Sequence, residues 1–216
     1  MKNNTIDSKL LSTKVALENA LANDNIKSEL ALYGYDETSL NAGLALYEDT
    51  QQKHSAQKKE YGDQYAASDA LNEALDTANT LYMRHVKIAR VALRTNRGAS
   101  ATLEIDGRRK KTYSGWIKQA SIFYTNALAD TDIQTALVKF GITAEVLNEG
   151  KSAVTNVETK LAAQLKEKGE AQNATEARDQ ALEELMDWMA DFYAISRIAM
   201  ESNPQYLETL GIVEPS

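Results

Sequence analysis

Apolar side chains recur with helical spacing along two long stretches of the chain. The stretches run from Asp36 to Leu93 and from Thr143 to Met200, and neither contains a proline. Counted as heptads from Leu40 and Leu147, both ends of each stretch carry apolar core positions, whereas the middle is polar. The pattern predicts two long, coiled-coil-like helices that bury their ends and leave a polar mid-section in water.

The two stretches belong to an internal duplication. Shifting the sequence against itself by 107 positions aligns identical residues without a gap, among them Gly34 with Gly141, Gly43 with Gly150, Gly62 with Gly169, and Arg90 with Arg197. We predict one intertwined all-α unit over residues 1–216. It comprises repeat 1 at about 8–95, a connecting loop at 96–113, repeat 2 at about 114–202 and a truncated third repeat start at 203–216.

A glycine follows the short helix that precedes each long stretch. Leu30 and Tyr35 flank Gly34 at the spacing of the two residues that touch in a Schellman helix ending. The same pattern surrounds Gly141 and Gly211. We therefore expect three helix stops with a left-handed glycine.

Gly62 and Gly169 fall in the middle of the long stretches and leave two architectures open. In the first, each stretch is one helix, roughly 87 Å long at 1.5 Å per residue. The two helices would pair antiparallel, with small residues permitting close approach near these glycines and short-helix caps at each end, as in a dumbbell. In the second, the glycines are turns of a compact up-down bundle, because helices average about 11–12 residues. No capping box follows either glycine, which favours the long helices.

The segment from Thr95 to Tyr113 lacks helical periodicity. Its Asp106-Gly107 pair follows an apolar stretch and suits the turn of a small hairpin. The charged residues that come next suit a loop equally well. Both interpretations stay open at the level of the sequence.

Composition argues against several classes of protein. The formal net charge of -7 is unfavourable for a nucleic-acid binder, which needs a basic face. The chain has no cysteine, which removes disulfides, thiolate metal sites and cysteine nucleophiles. No run of about 18 apolar residues occurs, and the first residues lack the apolar core of a signal peptide, so we expect no membrane span and a cytoplasmic location.

The catalytic and metal-binding motifs that a helical protein could carry are missing. Neither His54 nor His85 has a glutamate three residues before it, as a di-iron bundle requires. Zinc-binding spacings, nucleophile elbows and glycine-rich phosphate loops are missing too. We predict no catalytic residue, metal or cofactor. The sequence favours a protein that is not an enzyme, and an enzyme would need an acid–base pair that the fold brings together.

A few residues have the charge or aromatic character that a ligand needs. Arg90 and Arg197 occupy equivalent positions near the ends of the long stretches, where a cation complements the helix dipole or binds an anion. Trp188 and Phe192 lie one helical turn apart near Arg197. These four residues are the candidate ligand-binding set.

The basic run Arg108, Arg109, Lys110 and Lys111 stands out on an acidic chain. It suits a phosphate, a lipid headgroup or an acidic partner, and equally a solvated loop that offsets helix dipoles. Ten tyrosines also occur, concentrated in the first copy, and such differences between the copies are where function is to be sought.

Two functions are compatible with this sequence. The first is a non-enzymatic interaction or scaffold protein that acts through self-association or a protein partner. The second is a module that binds a small anionic or aromatic ligand in a pocket within one of the caps.

Overall fold

The computed structural model describes residues 5–212, and over that range the chain forms eight α-helices and no strand. In chain order they are α1 (Ile6–Ala22), α2 (Asp24–Ala31), α3 (Glu37–Ala92), α4 (Arg97–Thr102), α5 (Tyr113–Ala129), α6 (Thr131–Val138), α7 (Ala144–Ala199) and α8 (Gln205–Thr209). The predicted all-α fold class is confirmed. Among residues 5–212, none of the helices combines the length and the apolar character that a membrane crossing requires.

The long helices α3 and α7 each run for 56 residues without a break. Gly62 and Gly169 lie inside them, so the alternative with turns at these residues is wrong. A glycine costs only about 1 kcal/mol in a helix interior, too little to end a helix that no turn or cap residue interrupts. A Cβ built at either glycine would meet no atom within 4 Å, so neither position requires a glycine for lack of space.

Helices α1, α2 and α3 recur in the same order and with the same lengths as α5, α6 and α7. Helices α1, α2 and α3 begin at residues 6, 24 and 37, and α5, α6 and α7 begin at residues 113, 131 and 144. Each pair of starts differs by 107 residues (113 − 6, 131 − 24 and 144 − 37). The spacing found in the sequence is therefore also the spacing of the helices.

The three predicted glycine stops are present. Gly34, Gly141 and Gly211 have φ angles of 87°, 80° and 73°. At the first stop the amide of Tyr35 donates to the carbonyl of Leu30 at 3.1 Å, the bond that defines a Schellman ending. Glycine adopts this left-handed conformation without steric cost, which is why the pattern was readable from the sequence.

The segment after α3 begins with a helix, so the hairpin alternative is wrong and the predicted connecting loop is shorter than expected. Asn96 caps α4 by accepting a backbone N–H of its first turn at 3.0 Å. The turn that follows α4 has Glu104 in the left-handed conformation, with a φ of 52°. In this turn the amide of Ile105 donates to the carbonyl of Ser100 at 3.1 Å. Glu104 lies 107 residues before Gly211, so α4 and α8 end alike.

The chain packs as two compact units. Unit 1 contains the described residues up to Tyr61 and from Glu170 onwards, and unit 2 is Gly62–Gly169. Each long helix contributes one half to each unit. Within unit 1 the two halves run antiparallel, with the hydroxyl of Thr50 donating to the carbonyl of Ala181 at 3.0 Å.

Each unit has its own hydrophobic core. Large buried side chains of unit 1 include Leu10, Leu17, Ile26, Leu30, Leu40, Leu185, Phe192 and Met200. Those of unit 2 include Tyr82, Leu103, Ile105, Trp116, Phe123, Tyr124, Leu147 and Val154. The two cores use the same helical frame with different side chains, and these differences define the candidate site.

Candidate functional site in unit 2

A pocket with a volume of about 280 Å³ opens in unit 2. It lies between one face of α3, the glycine stop after α6 and the first turns of α7. Its lining residues are Leu81, Arg84, His85 and Ile88 on α3, Phe140, Gly141 and Ile142 at the stop, and Val146 and Glu149 on α7. The spacing of three, four and seven residues along α3 places its four residues on one helix face. Apolar walls thus surround three polar side chains.

His85 is the buried polar group of this pocket, with 4% of its surface exposed. Its Nδ1 lies 3.0 Å from the hydroxyl oxygen of Tyr124. The two rings meet edge to face, with centroids 5.8 Å apart. Within the described chain the buried Tyr124 hydroxyl has no other acceptor, so its proton is satisfied only by donation to Nδ1. We therefore assign the ring proton of His85 to Nε2, and His85 is one of the residues that line the pocket.

Both members of this hydrogen bond are neutral near pH 7. Burial lowers the pKa of His85 and the nearby guanidinium of Arg84 lowers it further, while the carboxylate of Glu149 opposes the shift. Burial raises the pKa of Tyr124, so its hydroxyl stays protonated. His85 therefore offers the pocket an uncharged N–H donor.

Arg84 and Glu149 line the same pocket without pairing with each other. Both side chains are exposed, and both act electrostatically on His85. Within residues 5–212 neither makes an ion pair or a side-chain hydrogen bond. An unpaired cation and an unpaired carboxylate at one pocket are each able to bind an opposite charge.

Unit 1 fills the equivalent positions with aromatic rings. In unit 1 the residues 107 positions from Leu81, His85 and Ile142 are Trp188, Phe192 and Tyr35. Trp188 and Phe192 stack with centroids 5.5 Å apart and an interplanar angle of 12°. Tyr35 meets the edges of both rings, at 5.4 Å and 5.6 Å. We call these three residues the aromatic cluster of unit 1.

One glycine in each copy receives a ring from a different helix. Gly43 lies under the indole of Trp188 on α7, and its equivalent Gly150 lies under the phenol of Tyr124 on α5. Unit 1 has Leu17 at the position of Tyr124. The Tyr124 ring thus takes the place against the glycine, and the smaller Leu81 replaces the indole. In unit 2 the equivalent positions carry Leu81, His85 and Ile142, and all three line the pocket.

The polar side chains of the pocket are specific to unit 2. In unit 1 the residues equivalent to Arg84, His85 and Glu149 are Asp191, Phe192 and Ala42. The equivalent helices have identical lengths, so the shared frame does not require these polar groups. They are the strongest candidates for a role in function.

Arg90, predicted as a ligand-binding residue, contacts backbone carbonyls in unit 2. Its Nε donates to Ile105 at 2.8 Å, and its Nη2 lies 3.5 Å from the carbonyl oxygen of Gly107. Arg197 in unit 1 donates from Nη1 to the carbonyl of Tyr193, one turn earlier, at 3.2 Å. Neither arginine lines the pocket of unit 2. A ligand-binding role for the two remains a prediction.

Trp188 and Phe192 come together in unit 1 as the sequence spacing predicts. They stack on each other within the aromatic cluster, and Phe192 is fully buried. A role of these rings in ligand binding is also still a prediction.

The basic run Arg108–Lys111 divides into one anchored residue and three exposed ones. Arg109 donates from Nη1 to the hydroxyl of Tyr82 at 2.5 Å and from Nη2 to the carbonyl of Glu104 at 2.6 Å. Its guanidinium also lies over the Tyr82 ring, 5.9 Å from the centroid. Arg109 therefore fastens the segment after α4 to the core of unit 2. The exposed residues are Arg108, Lys110 and Lys111.

In the sequence His85 lacks the neighbours of a metal ligand, and no motif marks Arg84, Glu149 or Tyr124 as site residues. The available signal was the change from Phe192, Asp191 and Ala42 in one copy to a histidine, an arginine and a glutamate in the other. That change alone does not show that the side chains share a pocket. Comparison with known proteins adds no assignment, because the chain matches no family model, no curated protein and no solved structure.

Proposed function

We propose that this protein is a non-enzymatic binding module that holds a small ligand in the pocket of unit 2. The supporting observation is the contrast between two equivalent places in one duplicated frame. Unit 1 has the packed aromatic cluster at this place, whereas unit 2 has a pocket of about 280 Å³ lined by a buried histidine.

The lining suits recognition of a ligand. Small-molecule sites combine apolar walls with a few polar groups that fix the orientation of the ligand. Here the polar groups are the Nε2–H of His85, the guanidinium of Arg84 and the carboxylate of Glu149. The lining contains no serine, threonine, cysteine or lysine that would serve as a nucleophile. Because these groups suit the orientation of a bound molecule, we propose binding.

Ligand-observed NMR with a library of small charged and aromatic fragments tests this proposal. The blocking variant is Val146→Phe, which places a ring in the pocket. Its matched control is Ser39→Phe, the same change at the equivalent position of unit 1. We expect fragments that bind to the unchanged protein and to Ser39→Phe but not to Val146→Phe. A library without any such fragment would overturn the proposal.

A second proposal is self-association, and it rests on exposed apolar side chains. Val91 and the equivalent Ile198 are 61% and 52% exposed, and Tyr33 and the equivalent Phe140 are 47% and 49% exposed. These apolar residues are exposed in both copies and are available for contact with a second copy of the chain. Sedimentation equilibrium should show association that the double variant Val91→Ser, Ile198→Ser weakens. A molar mass that stays that of the monomer up to millimolar concentration would contradict this proposal.

A further inference from the structure

The charges around the pocket of unit 2 indicate the class of its ligand. Resting on the binding function proposed above, we infer that the ligand is a small zwitterion with an apolar side chain, the chemistry of an aliphatic or aromatic α-amino acid. The inference combines the unpaired Arg84 and Glu149, the donor of His85, the apolar walls and the volume of the pocket.

The polar groups match the two charged ends of such a molecule. A carboxylate would accept hydrogen bonds from the guanidinium of Arg84 and from the Nε2–H of His85. An ammonium group would donate to the carboxylate of Glu149. Because His85 is uncharged, Arg84 and Glu149 balance each other, and the site has no net charge. A ligand without net charge, but with separated charges, is complementary to it.

Ligands of one charge fit the same groups less well. A simple anion would meet Arg84 and His85 but would also approach the carboxylate of Glu149, which repels it. A simple cation would meet Glu149 but would approach Arg84. Like charges brought close together disfavour binding, so only a molecule with both charges uses all three polar groups.

The apolar lining residues and the volume of the pocket indicate the size and the apolar character of the ligand's side chain. Leu81, Ile88, Ile142 and Val146 line the pocket with aliphatic groups, and Phe140 adds an aromatic ring. The volume of about 280 Å³ lies just below the range of roughly 300–1,000 Å³ for typical ligand sites. A volume of this size accommodates a single amino-acid-sized molecule with an apolar side chain.

Calorimetric titration with four probes tests the inference. L-leucine and L-phenylalanine carry both charges, 4-methylpentanoate lacks the ammonium group, and 3-methylbutylamine lacks the carboxylate. We expect at least one of the two amino acids to bind about tenfold more tightly than either analogue, as the loss of one charge-assisted contact predicts.

Two charge-removing variants assign the ends of the ligand. Glu149→Gln should weaken the amino acid about tenfold and spare 4-methylpentanoate, and Arg84→Gln should weaken the amino acid and spare 3-methylbutylamine. The control Asp191→Asn removes a carboxylate from the position of unit 1 that is equivalent to Arg84, and it should leave binding unchanged.

The outcomes separate this inference from the binding function itself. Equal affinities for the amino acids and the analogues would overturn the inference that the ligand is a zwitterion. So would fragments that Val146→Phe displaces in a protein that binds neither amino acid, although the binding function would then stand. If no fragment and no amino acid binds, both conclusions fail.

Discussion

The indole ring of Trp188 lies directly against the backbone of Gly43, so that a Cβ at residue 43 would stand 2.5 Å from a ring carbon. The equivalent Gly150 lies against the ring of Tyr124 instead. The helical frame is the same in both places. The ring against the glycine comes from α7 in unit 1 and from α5 in unit 2. The pocket described above belongs to unit 2.

Gly43→Ala should lower the free energy of unfolding by about 1–3 kcal/mol, because the indole must move to accommodate a methyl group. Gly62→Ala is the matched control inside the same helix, where a Cβ meets no atom within 4 Å. It should raise the free energy of unfolding by about 0.5–1 kcal/mol through helix propensity. Urea denaturation followed by circular dichroism measures both, and effects of the same sign would contradict the contact with Trp188.

Tyr124→Phe should lower the free energy of unfolding by roughly 1–3 kcal/mol, because it leaves Nδ1 of the buried His85 without its donor. The half-exposed Tyr33 provides the control. Tyr33→Phe should change stability by less than about 0.5 kcal/mol. Denaturation of the two variants side by side is the measurement. A Tyr124 variant as stable as the control would show that the hydrogen bond does not hold His85.

Stability should depend on pH through His85. Burial lowers its folded pKa below the unfolded value of about 6.5, so the unfolded chain binds more protons in this range. The stability contribution of the neutral ring is complete above about pH 6.5 and is lost as the pH falls through the folded pKa. His85→Phe, which introduces the residue of unit 1, should remove this dependence. Denaturation between pH 5 and 7.5 tests it, and parallel pH profiles for both proteins would refute the assignment.

Arg109→Met should loosen the segment between α4 and α5, because the guanidinium holds the Tyr82 hydroxyl and the Glu104 carbonyl. We expect hydrogen exchange at residues 104–111 to quicken by about tenfold, as the loss of one charge-assisted hydrogen bond would produce. Lys111→Met removes a cation from the same run at an exposed position and should leave exchange unchanged. Equal exchange rates in the two variants would show that Arg109 does not hold this segment and is a solvated cation like Lys111.

Glu104→Gly should raise the free energy of unfolding by about 1 kcal/mol. Residues other than glycine bear a cost of roughly 1–2 kcal/mol in the left-handed conformation, and the φ of Glu104 is 52°. The reverse change at the equivalent position, Gly211→Ala, should lower it by a similar amount. Thermal denaturation checks both. A destabilised Glu104→Gly variant would mean that the glutamate side chain contributes more than the conformation costs.

Local sequence determined the helices and most of their ends. Asn23 caps α2 with its side chain. Gly34 follows α2 in the left-handed conformation, as the sequence predicts. Caps and glycine stops are interactions among neighbouring residues, so they can be recognised in a linear pattern. The left-handed turn at Glu104 could not be recognised in this way, because glutamate does not favour the left-handed conformation that it adopts there.

The spacing of 107 residues was likewise visible in the sequence, because identical residues recur at it. Only the tertiary structure decided where the two copies differ in a way that matters. Whether Trp188 or Tyr124 covers the glycine depends on the helix from which the ring comes. Residues far apart in the chain make that contact, and no local pattern encodes it. The meeting of Arg84, His85 and Glu149 around one pocket is therefore a property of the folded unit 2.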